Sequence, residues 1–168
     1  MIKSIFAVDY WGNLGHKGSL PWPHLKEDMK YFKEMTTGHV VVMGRKTWDD
    51  PKFPKPLPDR INYVITNKPL TGYDDVKTIS GDLTKEIKKL ELIYPSKIIW
   101  IIGGAKILES TKNLVDEAHV THIKGQYFAD TKVDLKNYLR WFRAFSACPS
   151  KDGRCNWTSY KNIDIFRA

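Results

Sequence analysis

The sequence of 168 residues predicts an α/β fold, a largely parallel sheet covered on both faces and closed at one side by an antiparallel hairpin. Three features predict it. Apolar runs alternate with helically spaced stripes from one end of the chain to the other. The segment Lys97 to Ile102 carries Ile98, Ile99, Trp100, Ile101 and Ile102 without interruption, as a strand buried on both faces does. Near the end, Lys151-Asp152-Gly153 sits between two strand-like segments and reads as a hairpin turn.

Taken in order, Ile2 to Val8 is a first strand. Tyr10 to His24, with Gly12, Gly15 and Gly18, reads as a long irregular loop of the length that serves as a lid. Leu25, Asp28, Met29, Phe32 and Met35 fall on one stripe and predict a helix from Leu25 to Met35. His39 to Met43 is a second strand, and Gly44 to Trp48 opens a short helix. Prolines at 51, 54, 56 and 58 exclude helix and central strand, so Asp49 to Asp59 is expected as a stiff surface loop. Ile61 to Thr66 is a third strand and Val76 to Ile79 a short fourth, while Leu83, Ile87 and Leu90 mark an amphipathic helix. Gly103-Gly104 stops the Lys97 to Ile102 strand, and Ala105 to Glu109 are helix formers. Ala118 to Ile123, Trp141 to Ala147 and Trp157 to Phe166 complete the strands, and the length suits one domain over 1–168.

A hydrophobic fraction of 42% with 12% aromatics excludes a disordered chain. The formal charge of +8 attracts anions, either nucleic acid or a phosphorylated cofactor with a carboxylate-bearing substrate. The basic residues are scattered in ones and twos, without an Arg-rich tail or zinc-finger spacing, which argues against nucleic acid. Met1-Ile2-Lys3 leads directly into a strand without a secretory signal, so a cytoplasmic location is expected, and no run is long and apolar enough for a membrane. Cys148 and Cys155 then read as reduced thiols. His119 and His122, three apart on a strand, point to opposite faces and suit no single metal.

Asp28 is the only ionised member of its stripe. Burying a carboxylate among apolar neighbours is costly, so one kept there calls for a partner, from the protein or from a ligand; a solvated place in the first helical turn is the simpler alternative. Gly44-Arg45-Lys46-Thr47 and Gly103-Gly104 each follow a strand and open a helix, where backbone N–H groups approach phosphate, with Arg45, Lys46 and Lys106 adding charge. Either turn alone is an ordinary loop closure; together they fit a diphosphate. The G-x-G-x-x-G fingerprint and its acidic partner are missing, and Arg45 with Thr66-Asn67-Lys68 favours a 2′-phosphate on any dinucleotide bound.

Six motifs, Leu20-Pro21-Trp22, Asp28 with Phe32, Val42-Met43-Gly44-Arg45-Lys46-Thr47-Trp48, Leu57-Pro58 followed by Arg60, Ile101-Ile102-Gly103-Gly104 and Thr121-His122-Ile123, resemble in that order the dihydrofolate reductase family. The resemblance spans nearly the whole chain. It implies NADPH-dependent reduction of 7,8-dihydrofolate to tetrahydrofolate on a doubly wound, eight-stranded sheet, by a monomer with a small-molecule substrate and neither nucleic acid nor membrane as partner. It assigns Asp28 to the pterin 2-amino group and N3 through both carboxylate oxygens, and Trp22 and Thr121 to a water beside the pterin. Ile5, Ala7, Leu20 and Ile102 would line the ring, Met29, Phe32, Lys33, Phe53 and Leu57 the linker, and Arg60 the glutamate α-carboxylate. For NADPH it implies Ala7, Leu14, Gly15, Gly18, Ser19, Leu20 and Ile102 around the nicotinamide ribose and lid. Gly44, Arg45, Lys46, Thr47, Ile65, Thr66 and Asn67 would meet the adenosine phosphates, Gly103, Gly104, Ala105, Lys106 and Ile107 the diphosphate, with a cis Gly103-Gly104 bond, and Leu108 would stand beside the nicotinamide.

The chain departs from the family pattern at several places. Leu108 stands where an aromatic ring is common, Ala105 replaces a third glycine, Asp59 occupies a turn position where glycine is frequent, and the Asp49 to Lys55 stretch is longer than usual. The related reductase of riboflavin synthesis, which acts on a ribosylated pyrimidine, is the enzyme alternative, but it generally lacks an acid at the place of Asp28. A non-catalytic folate- or nucleotide-binding protein is the other, and the intact set Trp22, Asp28 and Thr121 argues against it.

Overall fold

A computed structural model of the protein describes residues 1–167. β1 (Ile2–Val8) leads into a loop containing β2 (Asn13–Gly15), and α1 (Lys26–Thr36) then carries the chain to β3 (Val40–Gly44). The short α2 (Arg45–Asp49) starts on Gly44, and β4 (Ile61–Ile65) and β5 (Lys77–Ile79) follow. α3 (Leu83–Ile93) is capped by the Asp82 carboxylate, which accepts from Lys85 N at 3.2 Å. Next come β6 (Ile99–Gly103), α4 (Ala105–Thr111), a single 3-10 turn and β7 (Glu117–Ile123). β8 (Thr131–Lys132), α5 (Leu135–Tyr138), β9 (Phe142–Pro149) and β10 (Cys155–Asn162) end the chain. No helix among the described residues is long and apolar enough to cross a membrane.

Eight strands form one sheet in the order β5-β4-β3-β6-β1-β7-β10-β9. Every pairing is parallel except those of β10, which runs antiparallel to both β7 and β9. The sheet is doubly wound, because the chain leaves β1 toward β3 on one side and returns through β6 to β7 on the other. Strand order therefore reverses between β6 and β1, the place where doubly wound sheets bind ligands at their C-terminal strand ends.

Alternating side chains divide the interior into two layers. Ile5, Val41, Met43, Val64 and Trp100 face α1, whose Tyr31, Phe32 and Met35 cover them. Ile2, Phe6, Val8, Val40, Val42, Ile99 and Ile101 face the other way, under Ile87 and Leu90 of α3, Leu108 of α4 and Tyr138 of α5. Edge strand β9 is almost wholly exposed, and the register of its pairing with β10 shifts at Ser159/Tyr160, an irregularity that disfavours further strand addition.

Several expectations are corrected. The Tyr10 to His24 loop is not wholly irregular, since Asn13 and Gly15 pair with Lys132 and Thr131 across β2 and β8. The proline loop is not all surface: Leu57 is buried because its N–H and C=O are both taken by the Asn62 side chain, at 3.0 and 2.9 Å. β10 starts two residues earlier than expected and ends at Asn162, whose side chain turns aside to donate to Val115 O at 2.9 Å. Cys148 and Cys155 are free thiols, and register sets Cys148 opposite Trp157.

Candidate active site

α1 begins on Leu25 without a side-chain cap, so its first turn relies on Glu27 and Asp28 to complement exposed N–H groups. Glu27 turns outward and accepts from Lys151 N and Asp152 N, both at 2.9 Å. Asp28 turns inward and is 8% exposed. Thr121 Oγ1 donates to Asp28 Oδ1 at 2.7 Å, and Trp157 Nε1 donates to the same oxygen at 3.1 Å. The two donors are direct register partners on β7 and β10. Burial pushes the Asp28 carboxyl above its ordinary range, and the two donors only partly oppose it. A buried carboxyl of this kind favours a protonated or cationic partner.

Around it lie Trp22, Leu25, Ile123 and Cys155, all buried, with Ala7, Tyr127 and Trp157 against them. Ile5 and Leu57 are buried, and Phe32, Phe53 and Ile102 pack half-buried against the same cluster. Met29 is half-buried, whereas Lys33 is exposed. At the far end Arg60 donates from Nε to Pro58 O at 2.9 Å and from Nη1 to Thr36 Oγ1 at 3.0 Å, with its guanidinium over the Phe32 ring. Arg60 joins none of the ion pairs among the described residues. Asp59 adopts φ 58°, a left-handed turn that aspartate tolerates.

The two glycine turns meet. A Cβ at Gly44 would lie 2.9 Å from Ile107 Cγ1 and 3.6 Å from Gly104 N, so only glycine lets the β3–α2 and β6–α4 turns approach this closely. Gly103 has φ 114°, the Gly103–Gly104 bond is cis, and Ala105 opens α4 without a positive φ. Arg45 is held by Asp49, at 3.0 and 3.1 Å from Nε, and its Nη1 reaches Thr66 Oγ1 at 3.4 Å, an oxygen that also accepts from Lys68 N. Lys46, Asn67 and Lys106 are exposed; Thr47, Ile65 and Thr66 are half-buried. In the lid, His16 and Ser19 exchange backbone bonds, Lys17 N donates to Asp130 Oδ2 at 2.8 Å, and Leu20 is exposed. Leu14, Gly15 and Ser19 are half-buried and Gly18 is exposed.

The family description "Dihydrofolate reductase" matches residues 1–165. The chain is 36% identical over 154 residues to a viral dihydrofolate reductase of Saimiriine herpesvirus 2, covering 82% of this chain and 72% of the relative. It is 31% identical over 152 residues to the dihydrofolate reductase of Bacillus subtilis, covering 90% and 86%. This chain belongs to the dihydrofolate reductase family. Its fold matches the dihydrofolate reductase from Enterococcus faecalis complexed with NADP(H) and RAB-propyl at a TM-score of 0.80 and 24% identity, over 98% of this chain and 97% of that one.

Among dihydrofolate reductase motifs, the structure joins Asp28 to Thr121 and brings the Gly44 turn against the Gly103-Gly104 turn. Leu108 is a correction: it is wholly buried in the layer beneath α3 and α4 and has no surface to offer a cofactor. Trp157 is the residue that sequence reasoning missed. A tryptophan on a strand reads as core, and only the register of β10 on β7 sets its N–H against Asp28. Among the described residues, no group of three His, Cys, Asp or Glu side chains is placed to hold a metal ion.

Proposed function

We propose that this chain reduces 7,8-dihydrofolate to tetrahydrofolate with NADPH, as a single-domain, monomeric and cytoplasmic enzyme. The observation that carries the reading is the buried Asp28 carboxyl, raised by burial, with Arg60 at the other end of the same helix face. Those two groups are spaced by Phe32, as a substrate with a basic ring, an aromatic linker and a carboxylate requires. Arg60 without a protein carboxylate supports the folate reading over a ribosylated pyrimidine, which brings no carboxylate to hold.

The fit to NADPH rests on the touching Gly44 and Gly104 turns, where neither helix start is capped by a side chain, and on Arg45, Thr66 and Lys68 bonded to one another. Gly44, Thr47, Gly103 and Gly104 would hold the diphosphate, and Arg45 with Thr66 the 2′-phosphate. Bound there, the nicotinamide supplies a hydride. Asp28 grips the pterin 2-amino group and N3, and its charge supports protonation at N5. Thr121 keeps the carboxylate oriented, while Trp22 walls the ring and, with Thr121, holds a water. The free thiols Cys148 and Cys155 fit a reducing compartment.

The test is a spectrophotometric assay of NADPH consumption, run in parallel with dihydrofolate and with a ribosylated diaminopyrimidine. Turnover with dihydrofolate alone supports the reading. Turnover with the pyrimidine alone, or with neither, refutes it.

A further inference from the structure

The Asp28 carboxylate is held asymmetrically. Each carboxylate oxygen carries two in-plane lone pairs. Oδ1 accepts from the Thr121 hydroxyl at 2.7 Å and from the Trp157 indole at 3.1 Å, while Oδ2 takes no protein donor among the described residues. We propose that Trp157 is a positioning residue of the reductase: with Thr121 it donates to Oδ1, fixes the rotation of the carboxylate, and turns Oδ2, which no protein group among the described residues occupies, toward the substrate. This rests on the reading of Asp28 as the pterin-gripping acid.

The indole is well suited to the task. An indole N–H donates and never accepts, so it favours the ionised carboxylate and offers nothing to a proton on Oδ1. Its seat is rigid. Trp157 lies within β10, paired to Thr121 on one side and Cys148 on the other, and its ring stacks on Tyr31 at 5.0 Å with an interplanar angle of 23°. The Tyr31 hydroxyl lies against Ser159, whose Oγ shares a 2.9 Å hydrogen bond with His119 Nδ1. His119 Nε2 in turn meets Glu117 Oε2 at 3.2 Å, and Lys3 pairs with that carboxylate at 2.6 Å. A polar chain under α1 thus anchors the aromatic stack that carries the donor.

Few other groups titrate against Asp28. From α1, Glu27 faces the hairpin and Tyr31 is pushed up by burial and by the Asp28 charge. From β10, the Cys155 thiol is pushed up by burial and then by the charges of Asp28, Asp152 and Glu27. β7 contributes Thr121, and farther along His119, which burial pushes down toward its neutral form. The ionisation followed in the pH profile of catalysis is then assigned to Asp28 itself.

Trp157→Phe keeps the stacked ring and deletes the N–H. The ionisation in the pH profile of kcat/KM is expected to rise by about one pH unit, a tenfold change in proton affinity, the scale of one donor lost from a charged acceptor. In an Asp28→Asn background the same change should add nothing. A measurement in the wild-type protein guards against a variant that does not fold. The Trp157 indole N–H resonance should titrate with Asp28 and lose its pH dependence in Asp28→Asn. An unmoved profile, or for an unfolded variant a silent resonance, overturns the inference. An Asp28→Asn enzyme with wild-type activity overturns instead the reading of Asp28 on which it rests.

Discussion

Arg60→Leu tests the substrate most directly, because the structure shows how little of this guanidinium the protein itself uses. Of the five N–H donors of an arginine, two are spent on Pro58 O and Thr36 Oγ1, which fix the plane of the fork over Phe32. The remaining donors have no carboxylate among the ion pairs of the described residues. Burial lowers the Arg60 pKa and the Asp59 charge opposes this, but arginine stays charged throughout the working range. A substrate carboxylate would gain a charge-assisted pair, each bond of which is worth about 1.5–3 kcal/mol. Allowing for partial solvation, Arg60→Leu should raise KM for dihydrofolate about ten- to a hundredfold with kcat much less affected. The two protein bonds lost cost about 1 kcal/mol each, so melting should be followed alongside. The deciding control is 6-methyl-dihydropterin, which shares the ring but lacks the tail; both proteins should reduce it at similar, poor rates. Equal damage to both substrates would make Arg60 a structural residue, and damage to neither would place the carboxylate site elsewhere.

Asp28→Asn should cut turnover at neutral pH by about a hundredfold or more, the scale of a positioned acid–base group, while NADPH binding measured by fluorescence stays unchanged. The same variant should be more stable without ligand. The folded-state pKa of Asp28 lies above its unfolded value, so its contribution is fully present below the unfolded pKa and lost as pH rises through the folded one. The variant's melting temperature should therefore exceed wild type at neutral pH, and the gap should close in the ordinary carboxylate range. Arg45→Ala should weaken NADPH binding by about tenfold and leave NADH nearly untouched. This is the low end for a charge-assisted contact, since the side chain is partly exposed and already shared with Asp49. Equal losses for both cofactors in a binding titration would assign Arg45 to the diphosphate or to the fold.

The strands and the glycine turns were legible in the sequence because both are local. Val40–Gly44 and Ile99–Gly103 are apolar runs ended by glycine, and no partner needs to be known to see them. Asp28 was legible as an anomaly of period, a charge on an apolar stripe. What escaped depends on pairing across long separations. β2 and β8 are too short to show a period, and they exist because residues 13–15 meet residues 131–132. Trp157 meets Asp28 across 129 positions, through two strands whose register no local pattern encodes. Leu108 failed for a different reason: position within a motif does not say which side of a helix faces the crevice, and its place beneath α4 is decided by packing.

The contact between Gly44 and Ile107 has a consequence for how this enzyme can vary. Any side chain at 44 must push Ile107 aside, and Ile107 belongs to the first turn of the helix that follows Gly103-Gly104. Position 44 therefore cannot drift by itself. A lineage that acquires alanine at 44 must shorten the residue at 107 in the same interval or lose its cofactor cradle. A side chain at 44 should accordingly be found only together with a shorter residue at 107.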